Sequence, residues 1–194
     1  MDAGEFRNLA LRNPANDALL DELMRLELPD AWIVAGSLAQ TIWNLKSGRP
    51  VGHGIDDYDI FYFDPDLSWQ AEDAVIARLS ETSARLGIRV EVRNQARVHL
   101  WYGEKHGMPY PVLRSCSEGI DRFLTRCTQV GLQRGHDGDR VYAPAGFDEV
   151  DAMVVRPNLK PNFSASAYRK KTARWHALWP ELTVESPPET EAPR

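Results

Sequence analysis

The run Trp32-Ile33-Val34-Ala35-Gly36-Ser37 is followed along the chain by Asp57-Tyr58-Asp59-Ile60-Phe61-Tyr62-Phe63. The first run is apolar and ends in glycine and serine, a pattern typical of a buried strand that turns into a helix. The second run opens with two aspartates and continues with apolar and aromatic residues, which predicts another strand. Alternate residues of a strand share a face, so we expect Asp57 and Asp59 to lie side by side near the Gly36-Ser37 turn.

Two same-face carboxylates beside a glycine-serine turn suit a site that holds a nucleoside triphosphate through Mg²⁺. Carboxylates are preferred ligands of hard cations, and paired Mg²⁺ ions stabilise the attacking and leaving oxygens of a phosphoryl transfer. Gly36 lets the backbone approach a phosphate, the first amides of a helix favour an anion, and Ser37 adds a hydroxyl donor. The sequence therefore predicts metal ligands at Asp57 and Asp59 and phosphate contacts at Gly36 and Ser37.

A third acid and two further polar residues follow on the next predicted strand. Glu91 is the only acid inside that strand, so it is the candidate for a third metal ligand or a general base. The alternative is a solvent-facing row of ion pairs, because Arg89 and Arg93 flank it. Asn94 offers an amide suited to a base or ribose, and Arg97 offers a fork suited to phosphate. We therefore expect both to contact the nucleotide.

Composition limits the class of protein. The chain has 194 residues, of which 43% are hydrophobic and 26% charged, as in a soluble protein with one domain. We expect a cytoplasmic protein, because the start shows no signal peptide and no segment has the length and hydrophobicity of a membrane span. The net charge of −5 argues against general coating of nucleic acid. The two cysteines, Cys116 and Cys127, match no metal or redox motif.

Helix and strand patterns alternate through the first half of the chain. Helices are predicted over 14–28, 38–45 and 68–87, and strands over 31–35, 57–64 and 88–94. Such alternation favours an α/β (α+β) protein whose mixed sheet is covered by helices.

The second half is less regular. Ser115 and Glu118 form a capping box that predicts a helix to about Cys127. The segments 130–133 and 140–143 predict a hairpin, and 148–155 and 168–178 predict helices. We expect a single domain over 1–184, with a core over about 14–102, a small helical and hairpin extension over about 103–184, and a disordered tail over 185–194.

Several motifs together are similar to those of a known family. They are Ala35-Gly36-Ser37, the run from Asp57 to Asp64, Val92-Arg93-Asn94-Gln95-Ala96-Arg97-Val98-His99, Met108-Pro109-Tyr110, the run from Ala143 to Asp148, and Val155-Arg156-Pro157-Asn158. Over about residues 20–182 the chain resembles bacterial nucleotidyltransferase-like proteins, once grouped as a domain of unknown function, within the superfamily that has the DNA polymerase β-like fold. The resemblance implies a mixed sheet, a nucleoside triphosphate donor, metal held by Asp57 and Asp59, and phosphate held by Gly36 and Ser37.

The sequence leaves the acceptor open as an RNA, a protein or a small molecule, with no membrane partner. The first hypothesis is a magnesium-dependent nucleotidyltransferase. The alternative is a non-catalytic regulatory or antitoxin-like protein that retains the fold. Between Ala152 and Pro180 the chain has basic residues and no acid. That segment predicts either a contact with triphosphate or nucleic acid, or a solvated helix face.

Overall fold

A computed structural model of the protein describes residues 1–188. The helices are α1 (Ala3–Ala10), α2 (Pro14–Leu26), α3 (Gly36–Lys46), α4 (Trp69–Leu86), α5 (Val98–His106), α6 (Cys116–Ile120), α7 (Asp148–Asp151) and α8 (Ala165–Leu178), with a 3₁₀ turn at Arg126–Thr128. The strands are β1 (Trp32–Val34), β2 (Tyr58–Tyr62), β3 (Val90–Asn94), β4 (Gly131–Gly135), β5 (Gly138–Tyr142), β6 (Val154–Val155) and β7 (Thr183–Val184).

The central sheet is mixed, with the strand order β3-β2-β1-β4-β5. β1 lies in the middle and pairs antiparallel with both β2 and β4, while β2 and β3 are parallel. This confirms the predicted class, a mixed sheet with flanking helices. The hairpin β4-β5, which the sequence analysis assigned to a C-terminal extension, pairs with β1 and completes this sheet.

The two faces of the sheet have different roles. Ile33, Ile60 and Tyr58 point to one face and belong to the main hydrophobic core, which runs from Phe6 to Leu182. Trp32 and Val34 point to the other face, where a smaller apolar cluster forms with α6. Asp59 pairs with Val34 in register, so it shares the face of the smaller cluster. The main core therefore supports the sheet from behind, and the carboxylate lies on the opposite side.

Local signals placed several boundaries correctly. Ser68 caps α4 through its side chain and Gly87 ends it with a left-handed conformation, as the sequence predicts. The hairpin turns at the predicted glycines. The sequence analysis missed α1 and α5.

The predicted helix from Ser115 to Cys127 is wrong beyond Ile120. The capping box is present, since Ser115 accepts from the Glu118 amide, but α6 ends after five residues. The carbonyl of Asp121 accepts instead from the side-chain amides of Gln129 and Asn158, at 2.8 Å each. These long-range bonds satisfy a carbonyl that a continuing helix would use, and a pattern of local propensity carries no signal for them.

The predicted helix over 148–155 is also shorter than expected. α7 ends at Asp151, and Met153 then takes a left-handed conformation with φ of 55°. The next residues form β6, which pairs in parallel with β7 near the C-terminus. Glu185, the first residue of the expected disordered tail, donates its amide to Val155 and pairs with Arg156. Residues 189–194 of that tail lie outside the described residues.

Two general features complete the fold. Cys116 and Cys127 are both buried free thiols, and burial raises the pKa of each. Within residues 1–188, no helix combines the length and the hydropathy needed to cross a bilayer.

A tryptophan cluster attaches α8 to the rest of the molecule. The ring of Trp43 on α3 lies edge-on to Trp175 and Trp179, with centroids 5.4 and 5.6 Å apart. All three side chains are fully buried. The indole N–H of Trp179 donates to Asn44 at 2.7 Å, which fixes the end of α8 against the end of α3. The cluster thereby sets the position of the basic helix relative to the sheet.

We expect Trp43→Ala to lower the free energy of unfolding by about 3–5 kcal/mol, because it leaves a cavity between α3 and α8. Urea unfolding at neutral pH measures the change. Trp69→Ala is the matched control, since Trp69 is 64% exposed and its loss should cost under about 0.5 kcal/mol. Equal effects of the two substitutions would contradict this view of the cluster.

Candidate active site

The turn between β1 and α3 is strained at Ala35. Ala35 has φ of 59° and ψ of −120°, in a region that residues with a Cβ rarely adopt. Its amide donates to the carbonyl of Val130 at 2.9 Å, which holds the strained backbone in place. The sequence analysis singled out Gly36 for a close approach of the backbone to phosphate, and the positive φ falls on the residue before it. Strain of this kind costs about 1–3 kcal/mol and often marks a functional turn.

Gly36 and Ser37 form the first turn of α3. A Cβ added to Gly36 would lie 3.1 Å from the side-chain nitrogen of Gln40, so the glycine makes room for that side chain. Ser37 is fully buried. Within the part of the chain that the structure describes, neither the Ser37 hydroxyl nor the Gln40 carbonyl oxygen has a hydrogen-bond partner. An unsatisfied buried polar atom costs about 1–3 kcal/mol, so these atoms are where a ligand or water would bond.

The structure brings the predicted carboxylates together on one face of the sheet. Asp59 lies directly opposite Glu91 in the parallel pairing of β2 and β3, and directly opposite Val34 in the antiparallel pairing of β2 and β1. Asp57 precedes β2 by one residue. Its carboxylate reaches the same guanidinium as Glu91, so all three acids share this face. By the same β1-β2 register, Gly36 lies at the Asp57 end of the row.

Arg89 is a part of this site that the sequence analysis treated only as a neighbour in a row of ion pairs. One terminal nitrogen of its guanidinium lies 2.9 Å from Asp57 and 2.5 Å from Glu91. The Arg89 side chain is largely exposed, and both carboxylates are partly exposed. The structure therefore contains the ion pair that the first alternative for Glu91 predicts. It also contains the alignment of Glu91 with Asp59 that a role as metal ligand requires.

Asp59 is the electrostatically unusual member of the group. Desolvation by its surroundings raises its pKa from 3.8 to about 7, and the negative charges of Asp57 and Glu91 act in the same direction. Lys171 on α8 and Arg93 on β3 oppose the rise. The three carboxylates thus lie close enough to repel one another, and a bound cation would favour their ionised forms.

The carboxylate oxygens of the site are suitable ligands for a divalent cation, although the side chains do not all surround a single point. Aspartate and glutamate oxygens are the donor set that Mg²⁺ takes in proteins. Over residues 1–188, no three His, Cys, Asp or Glu side chains are grouped closely enough to enclose a metal. Arg89 explains this spacing, because its guanidinium occupies the region between Asp57 and Glu91. Asp57 and Asp59 are the pair that would hold the ion.

Asn94 and Arg97 do not face the carboxylates, so the structure does not support their predicted contact with the nucleotide. The Asn94 side chain, 1% exposed, accepts from the amides of Asp64 and Ala96 and donates to the carbonyl of Asp64. Its hydrogen bonds brace the loop after β2. Sequence reasoning could not separate a ligand amide from a structural one, because both use the same residue type next to a strand.

Arg97 forms a buried ion pair with Glu72 of α4, and its Nε donates to the carbonyl of Leu67 at 2.9 Å. Both side chains of the pair are about nine-tenths buried. The guanidinium fork is therefore engaged in holding α4 and the preceding loop against the start of α5.

A cavity of about 470 Å³ opens on the same face as the carboxylates. Phe61 and Arg93 line it, and they lie two residues beyond Asp59 and Glu91 on their strands. Helix α8 lines it through Lys171, the residue that also acts on the pKa of Asp59. The alternation of Arg89, Glu91 and Arg93 gave a signal that Arg93 shares the face of Glu91. No local pattern indicated that α8 crosses to this side.

The basic segment near the C-terminus is partly explained by α8. Arg174 pairs with Asp56, the acid that immediately precedes Asp57. The Lys171 ammonium lies 5.0 Å from the centroid of the Trp175 ring, a cation–π contact at the edge of the site. The helix therefore turns one cationic edge toward the carboxylates, as the triphosphate alternative requires, and leaves Arg169 and Lys170 exposed.

The mixed sheet and the carboxylates beside a strained strand-helix turn are the arrangement that the sequence analysis expected of a nucleotidyltransferase. The chain belongs to a nucleotidyltransferase family, because a family model described as nucleotidyltransferase matches residues 21–184. The family implies a nucleotide substrate and supports transfer of a nucleoside monophosphate as the general activity.

A solved structure supports the same assignment. The chain is similar to a protein whose NMR structure is described as revealing a CCA-adding enzyme head domain. The two chains are 25% identical, with a TM-score of 0.76, and the match covers 96% of this chain and 97% of the other. No curated protein matches the chain in sequence. The predicted family and fold are thereby confirmed.

We expect the pH dependence of stability to report the raised pKa of Asp59 in metal-free buffer with a chelator. The folded pKa exceeds the unfolded value, so the native state binds this proton more tightly. The stabilisation is complete below about pH 4 and is lost as pH rises through about 7. Asparagine does not titrate, so Asp59→Asn does not lose this stabilisation. Relative to wild type, its free energy of unfolding should therefore rise by on the order of 2 kcal/mol between these pH limits, a value reduced because Asp59 is partly exposed.

Urea unfolding at several pH values measures this difference. Asp73→Asn, on the exposed side of α4, makes the same charge change away from the site and should follow the wild-type profile. Parallel profiles for wild type and Asp59→Asn would contradict the assigned electrostatics.

We expect Arg97→Ala to destabilise the protein by about 3–5 kcal/mol, because it leaves the Glu72 carboxylate buried without its partner. The double variant Glu72→Gln plus Arg97→Met should recover much of that loss, since it removes both charges. Chemical unfolding compares the variants. A stable Arg97→Ala protein with weakened nucleotide binding would instead restore the role predicted from the sequence.

Proposed function

We propose that this protein is a magnesium-dependent nucleotidyltransferase that moves a nucleoside monophosphate from a nucleoside triphosphate to an acceptor. The single observation that carries the proposal is the alignment of Asp59 with Glu91 on neighbouring strands, with Asp57 on the same face. Family membership and the similar head domain support the same reaction class. The magnesium requirement and the individual roles below are proposals.

Gly36 and Ser37 are the proposed phosphate contacts. The first amides of α3 point along the helix toward its N-terminus, where a helix favours an anion. The unpartnered Ser37 hydroxyl would gain the hydrogen bond that it lacks. Because Ser37 is fully covered, side chains around the turn must move for a phosphate oxygen to reach it.

Asp57 and Asp59 are the proposed ligands of Mg²⁺, and Glu91 is the proposed base or third ligand. The bound ion would supply positive charge against the phosphate oxygens. For that to occur, Arg89 must release Asp57 and Glu91, a local side-chain rotation at an exposed position. Lys171 and Arg93 lie near enough to Asp59 to contribute further positive charge at the reacting centre.

The proposed chemical step is a displacement at the α-phosphorus of the donor triphosphate. An acceptor hydroxyl oxygen forms a bond to the α-phosphorus, and the bond from that phosphorus to the bridging oxygen of the β-phosphate breaks. The electron pair leaves with pyrophosphate, and the hydroxyl proton passes to a carboxylate, for which Glu91 is the proposed acceptor. The protein's main contribution is to position the two substrates and neutralise charge.

We expect a nucleoside triphosphate with Mg²⁺ to raise the melting temperature. A ligand at a hundredfold its dissociation constant adds about 2.7 kcal/mol of stability. Thermal melting with each of the four triphosphates, with Mg²⁺ or with a chelator, measures the shift. Asp57→Asn plus Asp59→Asn should abolish the magnesium-dependent part, whereas the matched control Asp73→Asn should retain it.

The alternative of a non-catalytic regulator makes a different prediction. Incubation of labelled triphosphate with wild-type protein and cell extract should yield a labelled product that the double aspartate variant does not form. The proposal fails if no triphosphate shifts the melting temperature of the wild type, or if the double variant shows an equal shift. Binding without any labelled product would favour the regulator.

A further inference from the structure

The cavity beside the carboxylates has a distinct chemical lining. Its aromatic rings are Phe61, Trp101, Tyr102, Tyr110 and Phe123. Its volume, about 470 Å³, lies within the range of small-molecule sites, about 300–1,000 Å³. Walls made of rings favour a planar ligand that can stack on them.

The aromatic wall is built on α5, which carries Trp101, Tyr102 and His106, and on Tyr110 in the segment that follows it. The Tyr102 ring lies with its centroid 4.2 Å from that of Tyr110 and 4.3 Å from that of His106. The Trp101 centroid lies 6.0 Å from that of Tyr102. These rings are only partly buried or exposed, so they retain surface for another ring to cover.

The charged groups of the cavity all have one sign. Arg93, Arg122 and Lys171 line it, and none of the described residues in the lining is Asp or Glu. The chain as a whole has a net charge of −5, so this basic lining is a local feature. Three cations without an acid favour a multiply charged anion, and arginine forks in particular suit phosphate.

Arg122 lies in the cavity wall beside Tyr110. Its guanidinium carbon lies 5.5 Å from the centroid of the Tyr110 ring, and its carbonyl accepts from the Asn162 amide at 3.0 Å. The carbonyl oxygen of the Asn162 side chain is buried and has no hydrogen-bond partner within residues 1–188. An acceptor atom without a partner in a cationic wall is a point where a ligand hydroxyl or amino group would bond.

The position of the cavity relative to the carboxylates decides which substrate it serves. Gly36 lies at the Asp57 end of the acidic row, whereas Phe61 and Arg93 lie beyond Asp59 and Glu91 at the other end. The acids thus separate the phosphate-binding turn from the cavity. In a group transfer the donor phosphorus and the acceptor oxygen must meet at the metal-binding group, with their bodies on either side.

We propose that this cavity binds the acceptor, and that the acceptor is a small molecule carrying an aromatic ring, a phosphate group and a free hydroxyl. This inference rests on the proposed function. The ring stacks on the tyrosines of the wall, the phosphate pairs with Arg122 and its cationic neighbours, and the hydroxyl reaches toward Asp59 and Glu91. The transfer step is the one given above, with that hydroxyl oxygen attacking the α-phosphorus.

Adenosine 5′-monophosphate is a suitable probe, because it has all three features. Calorimetric titration in chelator measures its dissociation constant, and adenosine and ribose 5-phosphate test the ring and the phosphate separately. We expect each of these to bind at least about tenfold more weakly than the full probe, since a charge-assisted hydrogen bond or a stacked ring is worth roughly 1–3 kcal/mol. Equal binding of adenosine and the probe would overturn the role of the cations.

Substitutions at Arg122 test whether the probe binds in this cavity. Arg122→Ala should weaken the probe at least about tenfold and Arg122→Lys should weaken it less, because the lysine keeps the charge and loses the fork. The matched control Arg78→Ala, an exposed arginine of α4 outside the cavity, should leave binding unchanged. Circular dichroism melting shows whether Arg122→Ala remains folded, and Arg122→Lys provides the test if it does not. Unchanged binding in a folded Arg122→Lys and Arg122→Ala would overturn the proposal.

A second titration separates this proposal from the nucleotidyltransferase assignment. Asp57→Asn plus Asp59→Asn should bind the probe within about tenfold of wild type, because the ring and the phosphate contact the cavity lining and only the hydroxyl extends toward Asp59, while the variant loses the magnesium-dependent binding of a triphosphate. With Mg²⁺ and a saturating non-hydrolysable triphosphate, the probe should still bind to wild type within about threefold. Competition would assign the cavity to the donor base instead. A short RNA whose 3′ end binds more than tenfold tighter than the monophosphate would assign it to a polynucleotide end.

Discussion

The antiparallel pairing of β1 with β2 is the constraint on which the candidate site depends. It places Val34 beside Asp59 and thereby brings the strand-helix turn to the same end of the sheet as Asp57. The parallel pairing of β2 with β3 then adds Glu91 directly opposite Asp59. A shift of one residue in either pairing would turn a carboxylate into the main core, where a charge is not tolerated. The alternating hydrophobic residues of β2 therefore fix the strand register, and the register fixes the positions of the carboxylates.

Charge balance is the second organising feature. Three carboxylates on one face repel one another, and this contributes to the raised pKa of Asp59. The protein offsets the repulsion with Arg89, the residue immediately before β3, and with Lys171 from α8. These basic side chains balance the charge of the three carboxylates when no ligand is bound. A bound divalent cation would supply this positive charge in their place.

The sequence predicted the parts of the site that depend on local pattern. The turn, the paired aspartates and Glu91 follow from apolar runs that end in glycine or begin with acids, and the register of the strands brings them together. It could not predict that Asn94 and Arg97 are structural, because their partners, Asp64 and Glu72, are distant in sequence. The strain at Ala35 was equally hidden, since alanine carries no preference for a positive φ.

The cavity was hidden for a related reason. Its aromatic wall lies largely on α5, which the sequence analysis did not recognise as a helix, and its cations come from three elements: Arg93 from β3, Arg122 from the segment after α6, and Lys171 from α8. On sequence grounds, aromatic residues such as Trp101 and Tyr102 are more often core residues than ligand contacts. The path of the C-terminal helix, fixed by the indole contacts of Trp175 and Trp179 with Trp43, brings Lys171 to this face.

Because α8 comes late in the sequence, its basic residues reach the site only near the end of synthesis. The three acids have all been translated by residue 94, but Val130, which holds the turn, and Lys171 and Arg174 of α8 come later in the chain. A nascent or truncated polypeptide that ends before α8 therefore has the three carboxylates with Arg89 and Arg93 but without Lys171 and Arg174. Such a fragment would attract stray cations yet lack one wall of the cavity, so premature termination anywhere before Ala165 yields an electrostatically incomplete protein.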